Sequence, residues 1–331
     1  MSKDIEDFVR WVRSNHLEAT VSTNEDDIAM MTHLDLSKKK LRELPESIKV
    51  LKSLSVLKLS NNRLSKLPKS IGELYNLKNL QCENNLLEEL PNSIGNLSKL
   101  MILNLNGNRL KTLPEEIYNL NALTRFTLAA NRIEKLSKSL EKLTKLLYFS
   151  LDTNELEELP EVFSKMKSLY YLDISFNHLS FLPKSISDIE ELETLLLEGN
   201  HLKNLPSLES HDMLIKLDLS DNSLNSLDFN VSKLEDLKIL ILDNNFLTVL
   251  PEEICDLRNL TNLSISSNAL TSLPQNIGKL QNLEELDIED NNIKELPNSA
   301  KELKKLRNLY IANNEGVKKP IGLNLEYCDI E

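Results

Sequence analysis

The chain has 331 residues, of which 40% are hydrophobic but only 5% aromatic, and its formal net charge is −12. An acidic chain lacks the clustered lysine and arginine side chains that hold nucleic acids, which excludes a nucleic acid as the main partner. With so few aromatic residues, the core must be aliphatic and chiefly leucine. The length suggests two or three globular domains unless the chain is a repeat array.

Residues 1–30 predict an N-terminal helical cap. Four apolar residues fall on one helical face: Ile5, Phe8, Val9 and Val12. Asn24 precedes a run of acidic residues, which is typical of a capped helix start. We expect these helices to cover the first core layer, with a separate partner-binding helix as the alternative. The first sixteen residues carry charges throughout, so we expect neither a signal peptide nor a membrane span.

A frame of the form LxxLxLxxNxLxxLPxxIxxL recurs about every 23 residues over residues 31–320. Its asparagine slot, held by Lys39 in the first repeat, can be followed along the chain at Asn62, Asn85, Asn108, Asn131, Asn154, Asn177, Asn200, Asn222, Asn245, Asn268, Asn291 and Asn314. One interval is shorter, because Asn200 and Asn222 are 22 residues apart. All eleven prolines, Pro45 through Pro320, stand six residues after this slot. The register is therefore fixed by two independent residue types.

The frame predicts an α/β solenoid. Leucines that alternate with polar residues indicate a strand with one buried face, and successive strands would pair in parallel along the inside of a curve. The asparagine amide would satisfy backbone groups where the chain leaves the strand. Proline would fix φ at the entry to a short helical or 3-10 segment on the outside. Stacked neighbours then bury one continuous core.

The phrases LPESIKVLKSL and LPNSIGNLSKL resemble the intracellular Ras-suppressor, Shoc2 and Scribble-like class of leucine-rich repeat proteins. The resemblance covers residues 31–320 and implies a right-handed horseshoe with a parallel sheet on its concave face. After Pro320 the frame degrades, and residues 321–331 predict a short closing strand that caps the array. The predicted organisation is a cap (1–30), about twelve full repeats with a partial last one (31–320), and a C-terminal capping segment (321–331).

Residue patterns that carry catalysis or hold cofactors are missing from the sequence. It contains no phosphate loop, dinucleotide fingerprint, zinc-spaced cysteines or nucleophile elbow. Cys82 occupies a buried leucine slot and is expected to be an inert core thiol. His178 and His201 follow the asparagine slot in adjacent repeats, so they should lie side by side as solvated imidazoles, with a shared metal ion as the alternative. We expect no enzyme activity, no cofactor and no metal.

The concave face should carry the function. Lys40, Arg63, Arg109 and Arg132 follow the asparagine slot in the first repeats, whereas later repeats turn acidic and also expose apolar side chains. An apolar patch rimmed by acids is typical of a protein-binding surface, although same-face packing of neighbouring strands would also explain it. The predicted protein-binding residues are Tyr148, Asp152, Tyr171, Asp173, Phe176, Leu196, Glu198, Asp218, Ile239, Ile241 and Asp243.

These expectations favour a non-enzymatic scaffold or adaptor in the cytoplasm, which binds a protein partner with a basic surface and neither nucleic acid nor membrane. The three dispersed cysteines agree with a reducing compartment. One alternative is an effector exported without a signal peptide that acts on a host signalling protein through the same face. A more remote alternative is a metal- or thiol-dependent enzyme.

Overall fold

The structure is a computed structural model that describes residues 2–317 and 322–329. The chain forms two compact units, Met1–Leu156 and Glu157–Glu331, called unit 1 and unit 2 below. Within each unit, one strand, one turn and one outer segment recur as the 23-residue frame predicts. Pro320 and the predicted boundary at residues 320–321 lie outside the described residues.

Two short helices open unit 1. Helix α1 (Lys3–Ser14) begins after Ser2, whose hydroxyl accepts the Ile5 N–H, and helix α2 (Glu25–Met30) begins after Asn24, whose side chain accepts two backbone N–H groups. The buried face of α1 consists of Phe8, Val9, Trp11 and Val12. Helix α1 packs against the segment Glu46–Val50, and Asp4 pairs with Lys49 at 3.3 Å. Both predicted helices are present, and Phe8, Val9 and Val12 are buried as predicted, whereas Ile5 is only half-buried.

The strands of each unit are three residues long or shorter and pair in parallel with their sequence neighbours. Unit 1 contains β1 (His33–Asp35), β2 (Val56–Lys58), β3 (Asn79–Gln81), β4 (Ile102–Asn104), β5 (Arg125–Thr127) and β6 (Tyr148–Ser150). Unit 2 contains β7 (Tyr171–Asp173), β8 (Thr194–Leu196), β9 (Lys216–Asp218), β10 (Ile239–Ile241), β11 (Asn262–Ser264), β12 (Glu285–Asp287), β13 (Asn308–Tyr310) and β14 (Tyr327–Cys328). Strand β14 is the closing strand that the C-terminal residues predict.

Opposite the strands run short 3-10 helices, which confirm the predicted outer segments. In unit 1 they span Glu46–Val50, Lys69–Glu73, Asn92–Asn96, Glu115–Asn119 and Lys138–Lys142. In unit 2 they span Phe163–Lys165, Lys184–Asp188, Val231–Lys233, Glu252–Asp256, Ile277–Lys279 and Asn298–Glu302. Proline directly precedes many of them with φ near −65°, so its ring sets the backbone angle that starts the turn. Ser137 replaces it with φ of −75°, and its hydroxyl accepts the Ser139 N–H.

The asparagine slots form a ladder of buried amides that joins successive repeats. In unit 1 the Asn62 Oδ1 atom accepts the N–H groups of Lys39 and Leu41, both at 3.0 Å, and its Nδ2 atom donates to the Leu36 and Leu59 carbonyls. Asn245 in unit 2 makes the same kind of contacts. Each amide thus replaces the backbone partners that the turn removes, because an unpaired buried polar group would cost stability.

The shortened interval between Asn200 and Asn222 falls outside the strands. No 3-10 helix forms between β8 and β9 among these described residues. Instead His211 is fully buried, and its ring nitrogens lie 3.2 Å from the Leu208 carbonyl oxygen and 3.1 Å from that of Ile186. Burial lowers the pKa of His211, which keeps the imidazole neutral in the core. Leu196 and Asp218 remain in register across the short repeat.

Candidate binding surface

One face of each sheet is available to a partner. The central residue of each strand is buried, while the flanking positions alternate toward the other side. We call the side chains six, four, two and one residues before the asparagine slot, and one after it, the open face. It is the face that the sequence predicts to be concave. The open face of each unit is described separately below.

Apolar side chains lie half-buried on the open face of unit 2. Tyr171, Leu196, Ile239 and Ile241 are all partly accessible, which agrees with their predicted orientation. Leu196 and Ile241 flank Asp218 in register across β8, β9 and β10. Water therefore contacts apolar surface where polar residues would be the usual occupants.

Lys216 is a functional candidate that the sequence pattern does not single out. It stands between Thr194 and Ile239 in register, and its Nζ atom is 3.8 Å from the nearer Asp218 carboxylate oxygen. It is a single basic residue among acids, and its position in the frame, six residues before Asn222, is the signal that locates it on the open face. The patch therefore contains its own cation, which neutralises part of the acidic charge.

Several predicted acidic residues have a structural partner in their own chain. Asp173 accepts the Ser175 N–H at 3.1 Å, and Asp218 accepts the Ser220 N–H at 3.2 Å. Asp243 accepts the Ser264 hydroxyl and the Ser266 N–H, each at 2.7 Å. Such carboxylates hold the turn after the strand. Asp218 is only 7% exposed, so it is less accessible than the repeat frame predicts.

Glu198 differs from these acids. Within the described residues no hydrogen-bond donor reaches its carboxylate, and it is partly buried. Burial raises the pKa of Glu198, the charges of Asp218, Asp221 and Asp173 raise it further, and the charge of Lys216 opposes them in part. Lys216 therefore compensates its charged form only in part, and a cation from outside would stabilise it further.

Phe176 is the most exposed of the predicted apolar residues, at 50%. Its backbone has φ of +52°, a left-handed conformation that is rare for a bulky side chain. Its ring lies against Gly199, where an added Cβ would come within 2.5 Å of the ring. Gly199 itself has φ of +67°. The absence of a side chain at residue 199 thus makes room for the ring.

In unit 1 the two predicted residues have partners of their own. The Arg125 guanidinium lies 3.6 Å from the centre of the Tyr148 ring, so a cation–π contact covers one face of that ring. Asp152 accepts the Ser150 hydroxyl at 2.7 Å. The basic residues that follow the asparagine slot, Lys40, Arg63, Arg109 and Arg132, are all exposed. This open face is therefore basic at its rim.

His178 and His201 are stacked, with ring centroids 5.9 Å apart and planes 16° from parallel, which confirms their predicted neighbourhood. The described residues contain no group of three or more histidine, cysteine or acidic side chains arranged to hold a metal ion. Cys82 is buried, as predicted, and burial raises the pKa of its thiol. Among the helices in the described parts of the chain, none is long and apolar enough to cross a membrane.

Parallel strands, 3-10 outer segments and an asparagine ladder define a solenoid repeat protein. A family model for leucine-rich repeat regions matches residues 15–105, 92–175 and 252–326, and a leucine-rich repeat model matches residues 168–189. The chain therefore belongs to the leucine-rich repeat family. Members of this family are typically protein-interaction modules, since stacked repeats present a long continuous surface.

Solved structures with the same fold come from bacteria and plants. A leucine-rich repeat protein of Leptospira interrogans is 31% identical, with a TM-score of 0.76 over 92% of this chain and 88% of its own. The plant peptide hormone receptor RGFR1 in complex with RGF2 is 28% identical, with a TM-score of 0.77 over 88% of this chain; this chain covers 50% of the receptor chain.

An internalin of Listeria monocytogenes is 21% identical with a TM-score of 0.70, over 94% of this chain and 95% of its own, and shows the shared fold alone. No curated protein sequence matches the chain.

Proposed function

We propose that the chain is a non-enzymatic adaptor that binds a protein partner through the open face of unit 2. The observation that carries this proposal is the exposure of Tyr171, Leu196, Ile239 and Ile241 between acidic side chains. Apolar side chains surrounded by charged ones are the usual composition of a binding hot spot and its rim. The predicted residues Asp173, Phe176, Glu198, Asp218 and Asp243 belong to the same proposed surface.

The similar structures support a protein or peptide ligand. The plant receptor RGFR1 is described in complex with RGF2, so a related array accommodates a second polypeptide. The LPxxI phrase further supports assignment to the Ras-suppressor, Shoc2 and Scribble-like class, because proline directly precedes outer segments such as Lys69–Glu73 and Glu252–Asp256.

A basic partner surface is supported by the acids of unit 2. Glu198 and Asp221 have no donor from the described part of the chain, and attraction to lysine or arginine would speed association and set orientation. Tyr148 and Asp152 of unit 1 enter the proposed surface as more peripheral residues, since Arg125 and Ser150 already engage them.

Residues 1–30 are proposed to act as a cap, which the buried face of α1 supports. A reducing compartment such as the cytoplasm is supported by the free thiols of Cys82, Cys255 and Cys328. Fractionation of cells that express a tagged full chain would test the compartment, and recovery of the chain from a secreted or oxidising fraction would contradict it.

A matched pair of substitutions tests the binding surface. Ile239→Asp places a charge in the apolar patch of unit 2, and Ile102→Asp makes the same change at the equivalent strand position of unit 1. Both isoleucines are half-buried on their open faces. We expect Ile239→Asp to weaken capture of the partner from native lysate by about 100-fold or more, while Ile102→Asp captures it at wild-type strength.

Tyr171→Ala and Ile241→Asp should act like Ile239→Asp, because they remove or charge neighbouring apolar side chains. Circular dichroism and thermal unfolding would establish that all four variants remain folded. Equal capture by Ile239→Asp and Ile102→Asp would contradict the proposed surface. Loss of capture by Ile102→Asp alone would move the binding surface to unit 1.

A further inference from the structure

Phe176, Gly199 and Asp221 occupy the same slot, one residue before the asparagine, in three successive repeats of unit 2. All three have left-handed backbones, with φ of +52°, +67° and +52°. Strands of a sheet lie about 5 Å apart, so these positions form a short row. The row therefore combines an aromatic ring, a residue without a side chain, and a carboxylate.

The Phe176 ring is held with one side against the chain and the other in solvent. The ring packs against the backbone of Gly199, since a Cβ added there would lie 2.5 Å from ring atom Cδ1 and 2.8 Å from Cε1. The Phe176 N–H donates to the Glu198 carbonyl at 2.6 Å, and the Gly199 N–H donates to the Ser220 carbonyl at 3.0 Å. Half of the side chain remains exposed. A flat apolar surface is thus presented at a fixed place.

Two residues of the next two repeats have carboxylates that accept no donor from the described part of the chain. Glu198 precedes Gly199, and Asp221 follows Ser220, the residue whose carbonyl holds the Gly199 backbone. In contrast, the carboxylates of Asp173, Asp218 and Asp243 already accept N–H groups of the chain. Glu198 and Asp221 therefore have free acceptor capacity in the two repeats that directly follow Phe176.

Among protein side chains, arginine has the chemistry that matches these two features together. Its planar guanidinium stacks on aromatic rings and also donates several N–H groups in a fixed fork to carboxylates. Lysine carries the same charge, but its compact ammonium is more strongly hydrated and cannot stack as a plane. The combination of ring and acceptors therefore favours arginine over lysine.

We propose that Phe176, Glu198 and Asp221 form a recognition site for an arginine side chain of the protein partner, a proposal that rests on the binding function proposed for unit 2. The guanidinium lies over the exposed side of the Phe176 ring and donates to the Glu198 and Asp221 carboxylates. The bound arginine supplies hydrogen-bond donors that these carboxylates do not receive from the described part of their own chain, and it adds to the positive charge of Lys216. The apolar residues on β7, β8 and β10 then contact the flanking part of the partner.

The probes are N-acetylarginine amide, N-acetyllysine amide and N-acetylcitrulline amide, added to the isotope-labelled full chain. The backbone amide resonances of Phe176 and Gly199 report on the site, because Phe176 carries the ring and Gly199 lies against it. We expect a saturable shift with the arginine probe and binding of the lysine probe about tenfold weaker. Citrulline has the same shape without charge and should produce no saturable shift.

Glu198→Gln keeps the shape of the side chain and removes its charge, so it should weaken arginine binding about tenfold. Phe176→Leu keeps apolar bulk and removes the flat ring, with a similar expected loss. Phe246→Leu is the matched control, since Phe246 is another exposed phenylalanine of unit 2, at 64%; it should bind arginine like the wild type. The dispersion of the amide spectrum verifies that each variant is folded.

Equal shifts with citrulline, equal affinity for lysine, or no saturable shift at Gly199 would each overturn the arginine site. If the arginine probe does not bind but capture of the partner still depends on Ile239, the arginine site is wrong and the proposed binding function is still supported. If capture is instead unaffected by Ile239→Asp but the arginine probe shifts the Gly199 resonance to saturation, the arginine site is supported and the wider proposed surface is contradicted.

Discussion

Asp35 in unit 1 and Asp287 in unit 2 occupy equivalent positions, four residues before the asparagine slot. Each accepts the backbone N–H two residues further on, at 2.9 Å from Ser37 and 3.0 Å from Glu289. Yet their pKa values shift in opposite directions. Hydrogen bonds from Ser37, with help from Lys58 and Lys39, lower the pKa of Asp35, whereas burial and the charges of Asp243, Asp329 and Glu285 raise that of Asp287 to about 6.

The contrast extends to the open faces as a whole. In unit 1 the basic residues are Lys38, Lys40, Lys58, Arg63, Arg109, Arg125 and Arg132, against Asp35, Glu83, Asp152 and Glu155. In unit 2 the acidic residues are Asp173, Glu198, Asp218, Asp221, Asp243, Glu285, Asp287, Glu289, Asp290 and Glu315, and Lys216 is the one basic residue among these described positions. One repeat scaffold thus carries two different electrostatic surfaces.

The largest expected effects are common to both units, because the asparagine ladder is shared. Asn108→Ala and Asn245→Ala should each reduce the free energy of unfolding by about 3 kcal/mol, since several buried backbone groups lose their partner. Denaturant unfolding measures this. Asn292→Ala, at an exposed position, should change stability by less than about 0.5 kcal/mol. A large loss in only one unit would show that the scaffolds differ.

The acidic face of unit 2 should make stability fall as pH rises. A hydrogen bond with Asp329, then burial and neighbouring acids, raise the pKa of Glu289 from 4.5 to about 7. Between these values the folded chain keeps a proton that the unfolded chain releases, so unfolding becomes easier with increasing pH. Glu289→Gln should flatten this slope and, at pH 8, stabilise the chain by about 1 kcal/mol after solvent screening.

Unfolding by denaturant at several pH values would measure that slope. Glu315→Gln, an exposed acid of the same unit, is the control and should leave it unchanged. An unaltered slope in Glu289→Gln would show that the Glu289–Asp329 contact does not control the titration.

The residue before the asparagine slot should respond differently in the two units. Ala130 and Phe176 are both left-handed, with φ of +53° and +52°, and asparagine tolerates this conformation better. Ala130→Asn should stabilise the chain by about 0.5 kcal/mol. Phe176→Asn should instead destabilise it by about 1 kcal/mol, because the covered half of the ring is lost. Thermal unfolding would show whether each substitution raises or lowers the stability of the chain. A stabilising Phe176→Asn would mean that the ring contact is weak.

The smallest expected effect concerns Asp35 in unit 1, whose pKa is shifted in the opposite direction to that of Asp287. The pKa of Asp35 is lowered from 3.8, so its contribution is present above that pH and is lost as pH falls. Because the side chain is exposed, Asp35→Asn should destabilise the chain by only about 0.5 kcal/mol at pH 7. The difference should vanish near pH 2 in the same unfolding measurement. Destabilisation that persists at pH 2 would point to geometry rather than charge.

The fold could be predicted in detail because two periodic signals agree. Leucine alternation locates each strand, and the asparagine and proline slots locate the turn and the start of the outer segment. The actual amide contacts, such as those of Asn62 with Leu36 and Leu41, follow from one buried polar group per repeat. Even the short interval before Asn222 could be assigned to the outer side, since the leucine alternation on both sides of it is intact.

The details of the surface could be predicted only in outline. The frame gives the direction of a side chain but not its partners, so Asp218 and Glu198 looked alike although one is hydrogen-bonded to Ser220 and the other has free acceptors. Cross-repeat contacts, such as Arg125 over Tyr148 or Phe176 on Gly199, depend on the rotamers of residues 23 positions apart. Periodicity alone does not contain that information.

The short repeat around His211 has a consequence for how such a chain can diverge. One residue is missing between Asn200 and Asn222, and a 3-10 helix is replaced by a buried imidazole, yet Leu196, Asp218 and Ile241 keep their alignment. Insertions and deletions on the outer side therefore do not change the register of the strand residues on the open face. Mutation can lengthen or shorten the outer segment of a repeat while the side chains that would contact a ligand keep their positions relative to one another.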